Sequence, residues 1–144
     1  MEMNSDEKEV QEVLHSFLQA FENCDLPKME YFFAEGAVMF PQVVMSSIAT
    51  DDIDPSRYRR YNGMSPDMKR ATEEIPKQVS GPPYRSLVPE DLKILLFLDV
   101  AIATFHLHLE QGIFGRRTIV LAKRNSSWKI VHIHPSSVQV PHGK

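Results

Sequence analysis

The sequence predicts an α+β domain in which helices pack on one face of an antiparallel sheet. Two observations carry this prediction: an amphipathic pattern begins the chain, and four strand-like segments with short connections fill its second half. Helices first and strands later is the order typical of α+β domains. A chain of 144 residues is long enough to bury its own core, so we expect one domain over 1–144.

The first predicted element is a helix with one apolar stripe. Its apolar side chains recur three and four positions apart, which places them on one helical face. Asn4 or Ser5 can cap its start. The stripe consists of Val10, Val13, Leu14, Phe17, Leu18 and Phe21.

A second, shorter helix is predicted to begin at Asp25–Pro27, because proline is tolerated in a first helical turn. Phe32 and Phe33 belong to its apolar side, and Gly36 is expected to end it. Short strands are predicted to follow at 37–40 and 43–47.

Residues 50–83 differ in character from their surroundings, being rich in proline and in charged residues. We interpret this segment as an insertion covering one end of the domain, because it lacks a core of its own. It contains one predicted helix, from Asp67 to about Ile75, which Pro76 should stop.

Four strand candidates complete the chain, at 92–98, 100–110, 116–123 and 128–136. The last two flank a turn at Arg124–Ser127. Because side chains two apart project on one face of a strand, Trp128, His132 and His134 are expected to share a face.

The strand at 100–110 has one wholly apolar face and one that changes from apolar to polar. Such a polar end fits the wall of a cleft, and it fits equally a strand that leaves the core. The changing face carries Thr104, His106 and His108, and the apolar face carries Ala101, Ala103, Phe105, Leu107 and Leu109.

Composition excludes several classes of protein. A net charge of -3 argues against a nucleic-acid partner. The strongest apolar run, 94–98, is too short to span a bilayer, so no membrane partner is expected. The single cysteine, Cys24, excludes an internal disulfide framework and indicates a reducing compartment, most simply the cytoplasm.

Two His-x-His pairs, 106–108 and 132–134, have a spacing that can ligate a metal. If the strands run in order, one strand separates the pairs by roughly 9–10 Å, and its side chains crowd out a shared ion. We therefore expect no metal and no cofactor, and structural or interfacial histidines instead.

The ending Trp-x-x-x-His-x-His-x-Ser at 128–136, together with the helix-to-strand passage at 32–40, resembles the SnoaL-like group of the nuclear-transport-factor-like superfamily. The same ending is similar to the association domain of calmodulin-dependent protein kinases. The resemblance covers most of the chain except 50–83. It implies a cystatin-like cone: a curved antiparallel sheet wrapped around a long N-terminal helix, with a pocket between them, commonly as a homodimer.

The resemblance also has implications for the pocket. Steroid-isomerase-like relatives carry a carboxylate base after the second helix, but 39–42 holds no acid here. The kinase domains line their pocket with arginines, and the matching positions here are His106, Ile119 and Pro135, which implies a reduced anion site. This alignment turns one set of side chains inward and leaves Trp128, His132 and His134 on an outer, dimeric face. The inward set is Thr104, His106 and His108 with Lys129, Val131 and Ile133.

Two functions remain open. The first is a domain that binds a small apolar or oxygenated ligand, with isomerase-, dehydratase- or cyclase-type acid–base chemistry by His106 or His108. The second is a non-catalytic homodimeric association module with a vestigial pocket, which would use the apolar face of 100–110. For the first, the expected ligand-binding residues are Phe17, Phe21, Phe33, Tyr58, Tyr61, Thr104, His106 and His108.

Overall fold

The computed structural model describes residues 4–42, 44–45, 59–109 and 112–139. The helices are α1 (Ser5–Glu22), α2 (Leu26–Tyr31) and α3 (Pro66–Gln78). The strands are β1 (Phe33–Met39), β2 (Val44–Met45), β3 (Tyr61–Asn62), β4 (Glu90–Phe97), β5 (Val100–Leu109), β6 (Ile113–Arg124) and β7 (Ser127–Gln139). The result is the predicted α+β fold.

Helix α1 begins as predicted. The Asn4 side chain accepts a hydrogen bond from the backbone N–H of Asp6 at 2.8 Å, satisfying a donor that has no partner within the helix. Most of the apolar stripe is buried against the sheet, and Val13 and Phe21 are partly buried. The buried residues of α1 are Val10, Leu14, Phe17, Leu18 and Ala20.

The passage from α2 to β1 differs from the prediction. Helix α2 ends at Tyr31, and Phe33 already belongs to the strand. Gly36 lies inside β1 with φ of +83°, a conformation that favours glycine, and the pairing of β1 with β7 shifts register between Phe33 and Val38. Gly36 therefore permits an irregularity within a strand and does not terminate a helix.

The described strands form one sheet in the order β3-β1-β7-β6-β5-β4, with β2 also paired to β7. Strands β4 to β7 form an antiparallel meander, whereas β1 and β2 pair with β7 in parallel. In the β6–β7 hairpin, Asn125 and Ser126 both have positive φ, as a two-residue turn between twisted strands requires.

Strand β7 contains a bulge that divides its side chains into two alternating sets. Leu121 on β6 pairs with Ile130, but the adjacent Val120 pairs with His132, so Val131 is an extra residue. Before the bulge, Trp128 and Ile130 are buried. After it, alternation restarts one position out of phase, and the buried residues are Ile133, Pro135 and Ser137.

The bulge corrects the expectation that Trp128, His132 and His134 share a face. Trp128 is buried on the inner face, where its indole N–H donates to Oδ1 of Asp6 on α1 at 3.4 Å. His132 and His134 lie on the opposite face, as expected, and pack around Phe40. Lys129 and Val131 were expected to point inward with Ile133, but only Ile133 is buried.

Helix α3 is longer than predicted. The side chain of Ser65 accepts a hydrogen bond from the N–H of Met68 and so caps the start. Pro76 lies within the helix, which continues to Gln78, so the expected stop at this proline is wrong. None of the helices in the described part of the chain is both long and apolar enough to cross a bilayer.

Candidate functional site: the cone cavity

A cavity of about 190 Å³ lies between α1, α3 and the inner face of the sheet, and we call it the cone cavity. Most of its lining is apolar. The apolar lining residues are Phe17, Leu18, Phe21, Met39, Met68, Ala71, Leu87, Phe105, Leu107, Ile119, Ile133 and Pro135. The polar lining residues are Gln42, Ser65, Asp67, Arg85 and Arg117.

Strand β5 supplies its apolar face to the cavity. Phe105 and Leu107 line it, and both are buried. Thr104, His106 and His108 alternate with them and are exposed on the opposite side, which we call the outer face. The expectation that these three residues point inward is therefore wrong: β5 lies one residue out of phase with the alignment implied by the resemblance.

Only some of the aromatic residues predicted to bind a ligand line the cavity. Phe17 and Phe21 line the cavity, with their rings edge to face at 6.3 Å between centroids. Phe33 packs on Phe17 but is not in the lining. Tyr61 lies on β3, away from the lining, near the guanidinium of Arg59. Tyr58 lies outside the described residues.

Arg117 is the most unusual member of the lining. It alternates with Ile119 and Leu121 on the inner face of β6, beside Gly115. A methyl group added at Gly115 would lie 3.1 Å from Nη1 of Arg117, so this glycine leaves room for the guanidinium.

The hydrogen bonds of Arg117 hold its guanidinium in place. Nη1 donates to the backbone carbonyls of Arg116 and Ser136, at 3.0 and 3.1 Å. Nη2 donates to Oε1 of Gln42 at 3.0 Å. Burial, and secondarily the charge of Arg85, lower the pKa of Arg117 to about 10, so it remains charged at neutral pH.

Arg85 is positioned from α1. Glu22 at the end of that helix accepts hydrogen bonds from Tyr84 N–H through its carbonyl, at 2.9 Å, and from Leu87 N–H through Oε2, at 2.6 Å. The segment between them carries Arg85, whose guanidinium lies 4.8 Å from the ring centroid of Phe21. Such stacking of a cation on an aromatic face is favourable.

The positions of Arg85 and Arg117 contradict the expectation of a reduced anion site. The resemblance implied a reduced anion site, with His106, Ile119 and Pro135 at the positions of the kinase arginines. Ile119 and Pro135 do line the cavity and His106 does not, but Arg85 and Arg117 add two cations that the sequence did not identify as pocket residues. The signal for Arg117 was its alternation with Ile119, which places both on one strand face.

The outer-face histidines form separate local contacts. Nε2 of His108 lies 3.1 Å from Oε2 of Glu90, and its ring packs on Phe114. The carbonyl of Val38 accepts a hydrogen bond from Nδ1 of His132 at 3.0 Å. Over 4–42, 59–109 and 112–139, no group of three or more His, Cys, Asp or Glu residues is placed to hold a metal ion.

Comparison with known proteins identifies the fold. Residues 58–141 match the model of the SnoaL-like domain, a range that includes most of the segment predicted to be an insertion. No curated protein matches the chain in sequence.

Solved structures resemble the chain over nearly its whole length. An NTF2-like protein of unknown function from Pseudomonas putida KT2440 has a TM-score of 0.63 at 19% identity, covering 92% of this chain and 86% of its own. An NTF2-like protein of unknown function from Shewanella baltica OS155 has a TM-score of 0.63 at 16% identity, and the match covers 95% of this chain and 97% of that protein. The CaMKII hub of S. rosetta has a TM-score of 0.61 at 18% identity, and the match covers 90% of this chain and 95% of the hub. At these identities the likeness establishes the cone-shaped, cystatin-like fold alone.

Proposed function

Because the chain belongs to the SnoaL-like domain family, as the match over residues 58–141 establishes, we propose that it binds a small, largely apolar molecule inside the cone cavity. The observation that carries the proposal is the cavity of about 190 Å³ with its mostly apolar lining and few polar groups. Sites for small molecules in proteins commonly have this composition.

The size of the cavity limits the ligand. An apolar cavity of ~150 Å³ in another protein is known to hold one benzene ring. A cavity of about 190 Å³ is suited to a one-ring molecule with a short polar extension. Ketones and lactones of that size are the first neutral probes to use.

The proposal is confined to binding. Acid–base chemistry by His106 or His108 inside the cone would require their imidazoles to face the cavity, and both lie on the outer face. Among the described lining residues there is no histidine, and Asp67 is the one carboxylate.

A pair of leucine substitutions on α3 tests binding in the cavity. Ala71 lines it, whereas Glu73 on the same helix is exposed. We expect a thermal-shift screen of one-ring ketones, lactones and carboxylates to give stabilising probes. Ala71→Leu should abolish these shifts by filling the cavity, and Glu73→Leu should preserve them. Shifts that persist in Ala71→Leu, or a screen without any stabilising probe, would contradict the proposal.

A second candidate function is a non-catalytic homodimeric association module. The apolar face of β5 cannot serve as its interface, because Ala101, Ala103 and Phe105 are buried within the chain. The observation that favours this candidate is instead an apolar patch at the β4–β5 hairpin. Its exposed members are Leu95, Phe97, Leu98 and Val100, and Leu98 is 92% exposed.

A further inference from the structure

Arg117 presents a cation to the cone cavity. Its hydrogen-bond partners are all neutral: two backbone carbonyls and the amide oxygen of Gln42. Within the parts of the chain that the structure describes, no acidic side chain lies within 4.0 Å of its guanidinium. A guanidinium has five N–H donors, so these three bonds leave two for a ligand.

Arg85 adds a second positive charge to the same lining, and the two charges repel each other. The combined effect of burial and of Arg85 is the depressed pKa of Arg117. Because no described carboxylate pairs with Arg117, an anion that binds this guanidinium offsets part of the cost of removing its charge from water. The interior of the cavity is thus better matched to an anion than to a neutral molecule.

Asp67 is the one described carboxylate of the lining, and it does not neutralise Arg117. Its Oδ1 lies 3.5 Å from Nη1 of Arg70, one turn along α3, and its side chain is nearly half exposed. It therefore lies where α3 meets solvent, already paired with a different arginine.

We infer that the ligand of the cone cavity is a small amphipathic carboxylate, an inference that rests on the function proposed above. Its head group is held by Arg117, with Arg85 as a second cation. Its hydrocarbon body lies against Phe17, Phe21 and Leu107. A guanidinium is suited to this task because its planar fork of donors matches the two oxygens of a carboxylate.

Phenylacetate and phenylacetamide are a matched pair of probes for this inference. Both have one ring and a short polar head of the same shape, and only the first is charged. Titration calorimetry on the full chain should give a dissociation constant for phenylacetate that is lower by ~10-fold or more, since hydrogen bonds to charged groups are the stronger ones. Equal affinities would overturn the head-group inference while leaving the binding function in place.

Adjacent arginines on β6 supply a matched pair of variants. Arg117→Met removes the charge inside the cavity, and Arg116→Met removes a charge from the next residue, which is exposed on the outer face. We expect Arg117→Met to lose the preference for phenylacetate over phenylacetamide, and Arg116→Met to keep it. The opposite pattern, or a preference retained in both variants, would contradict the inference.

A replacement variant and the binding of the two probes to the wild type complete the test. If Arg117→Met does not fold, as judged by circular dichroism, Arg85→Met is the replacement, and it should reduce the same preference. If neither probe binds the wild type and Ala71→Leu leaves the shifts of the thermal-shift screen unchanged, both the proposed function and the inference fail. That outcome is distinct from equal binding of the two probes, which removes the inference alone.

Discussion

Nε2 of His108 lies 3.1 Å from Oε2 of Glu90 on the outer face of the sheet, where the two side chains are 61% and 51% exposed. The pair joins β5 to the edge strand β4 in contact with solvent. A histidine held there is separated from the cone cavity by the thickness of the sheet. Its neighbour Leu107 points the other way and lines the cavity.

Replacing the two outer-face histidines of β5 should therefore leave ligand binding unchanged. We expect His106→Ala/His108→Ala to bind phenylacetate within about twofold of the wild type, because neither imidazole lines the cavity. Titration calorimetry at neutral pH measures the affinity. A much weaker affinity in a variant with unaltered circular dichroism would restore these histidines as site residues.

Leu107→Ala should enlarge the cavity at the expense of stability. Removing a buried leucine side chain costs about 2–5 kcal/mol of the free energy of unfolding. We also expect the affinity for 2-naphthylacetate to rise about fivefold or more relative to phenylacetate, since overpacking of ~1–3 kcal/mol is relieved. Urea unfolding and competitive titration measure the two effects.

Leu121→Ala is the control for that substitution. Leu121 is fully buried on β6 but is not part of the cavity lining. It should lose comparable stability and keep the probe preference of the wild type. If Leu107→Ala and Leu121→Ala change the preference between 2-naphthylacetate and phenylacetate equally, the cause is a general loss of core packing and not the enlarged cavity.

Asp6 should contribute to stability in a pH-dependent way. Its Oδ1 accepts hydrogen bonds from Nζ of Lys123 at 3.0 Å and from the indole of Trp128, and the first of these raises the pKa of Lys123 above 10.5. A lysine pKa that is raised by folding stabilises the fold at pH values below 10.5. That contribution is lost as the pH rises through the folded value.

Asp6→Asn should lower the pKa of Lys123 and the urea midpoint at about pH 8, and the difference from wild type should shrink at about pH 11.5. NMR titration and urea unfolding measure these quantities. Glu7→Gln, also in the first turn of α1, controls for the loss of an acidic group from the helix start. A pH-independent difference would show that the ion pair is not the origin of the effect.

Phe97→Glu tests the association module. Phe97 is 59% exposed at the β4–β5 hairpin, so a charge there should shift a homodimer towards monomer in sedimentation velocity at micromolar concentration. Val88→Glu is the control, because Val88 is similarly exposed, at 65%, in the segment before β4. A wild type that is already monomeric would argue against this candidate function.

The elements with a strong pattern were predictable from the sequence. Helix α1 was identified by its apolar stripe, and the β6–β7 hairpin by its turn, because each signal is local. The parallel pairing of β1 with β7 joins residues about a hundred positions apart, and no local pattern encodes it. The short strand β3 was missed for the same reason.

The site was less predictable because it depends on which face of each strand turns inward. Alternation along β5 defines two faces, and burial of the apolar one should have determined the choice. The resemblance favoured the other face through His106. Arg117 was missed because an arginine is costly to bury, which favours a solvent-exposed position for this residue type. Its inward orientation is visible only when its phase relative to Ile119 is known.

The bulge at Val131 makes the pairing of β7, and not only residue identity, a determinant of the cavity. If Val131 were instead paired in the regular ladder with β6, the alternation of Trp128 and Ile130 would continue along the strand. His132 and His134 would then replace Ile133 and Pro135 on the inner face, without any change in sequence. Deleting Val131 would have the opposite effect: it would remove the bulge and leave Ile133 and Pro135 facing inward. One unpaired residue thus keeps this wall of the cavity apolar, and relatives of this chain are best compared by the spacing between Ile130 and Ile133.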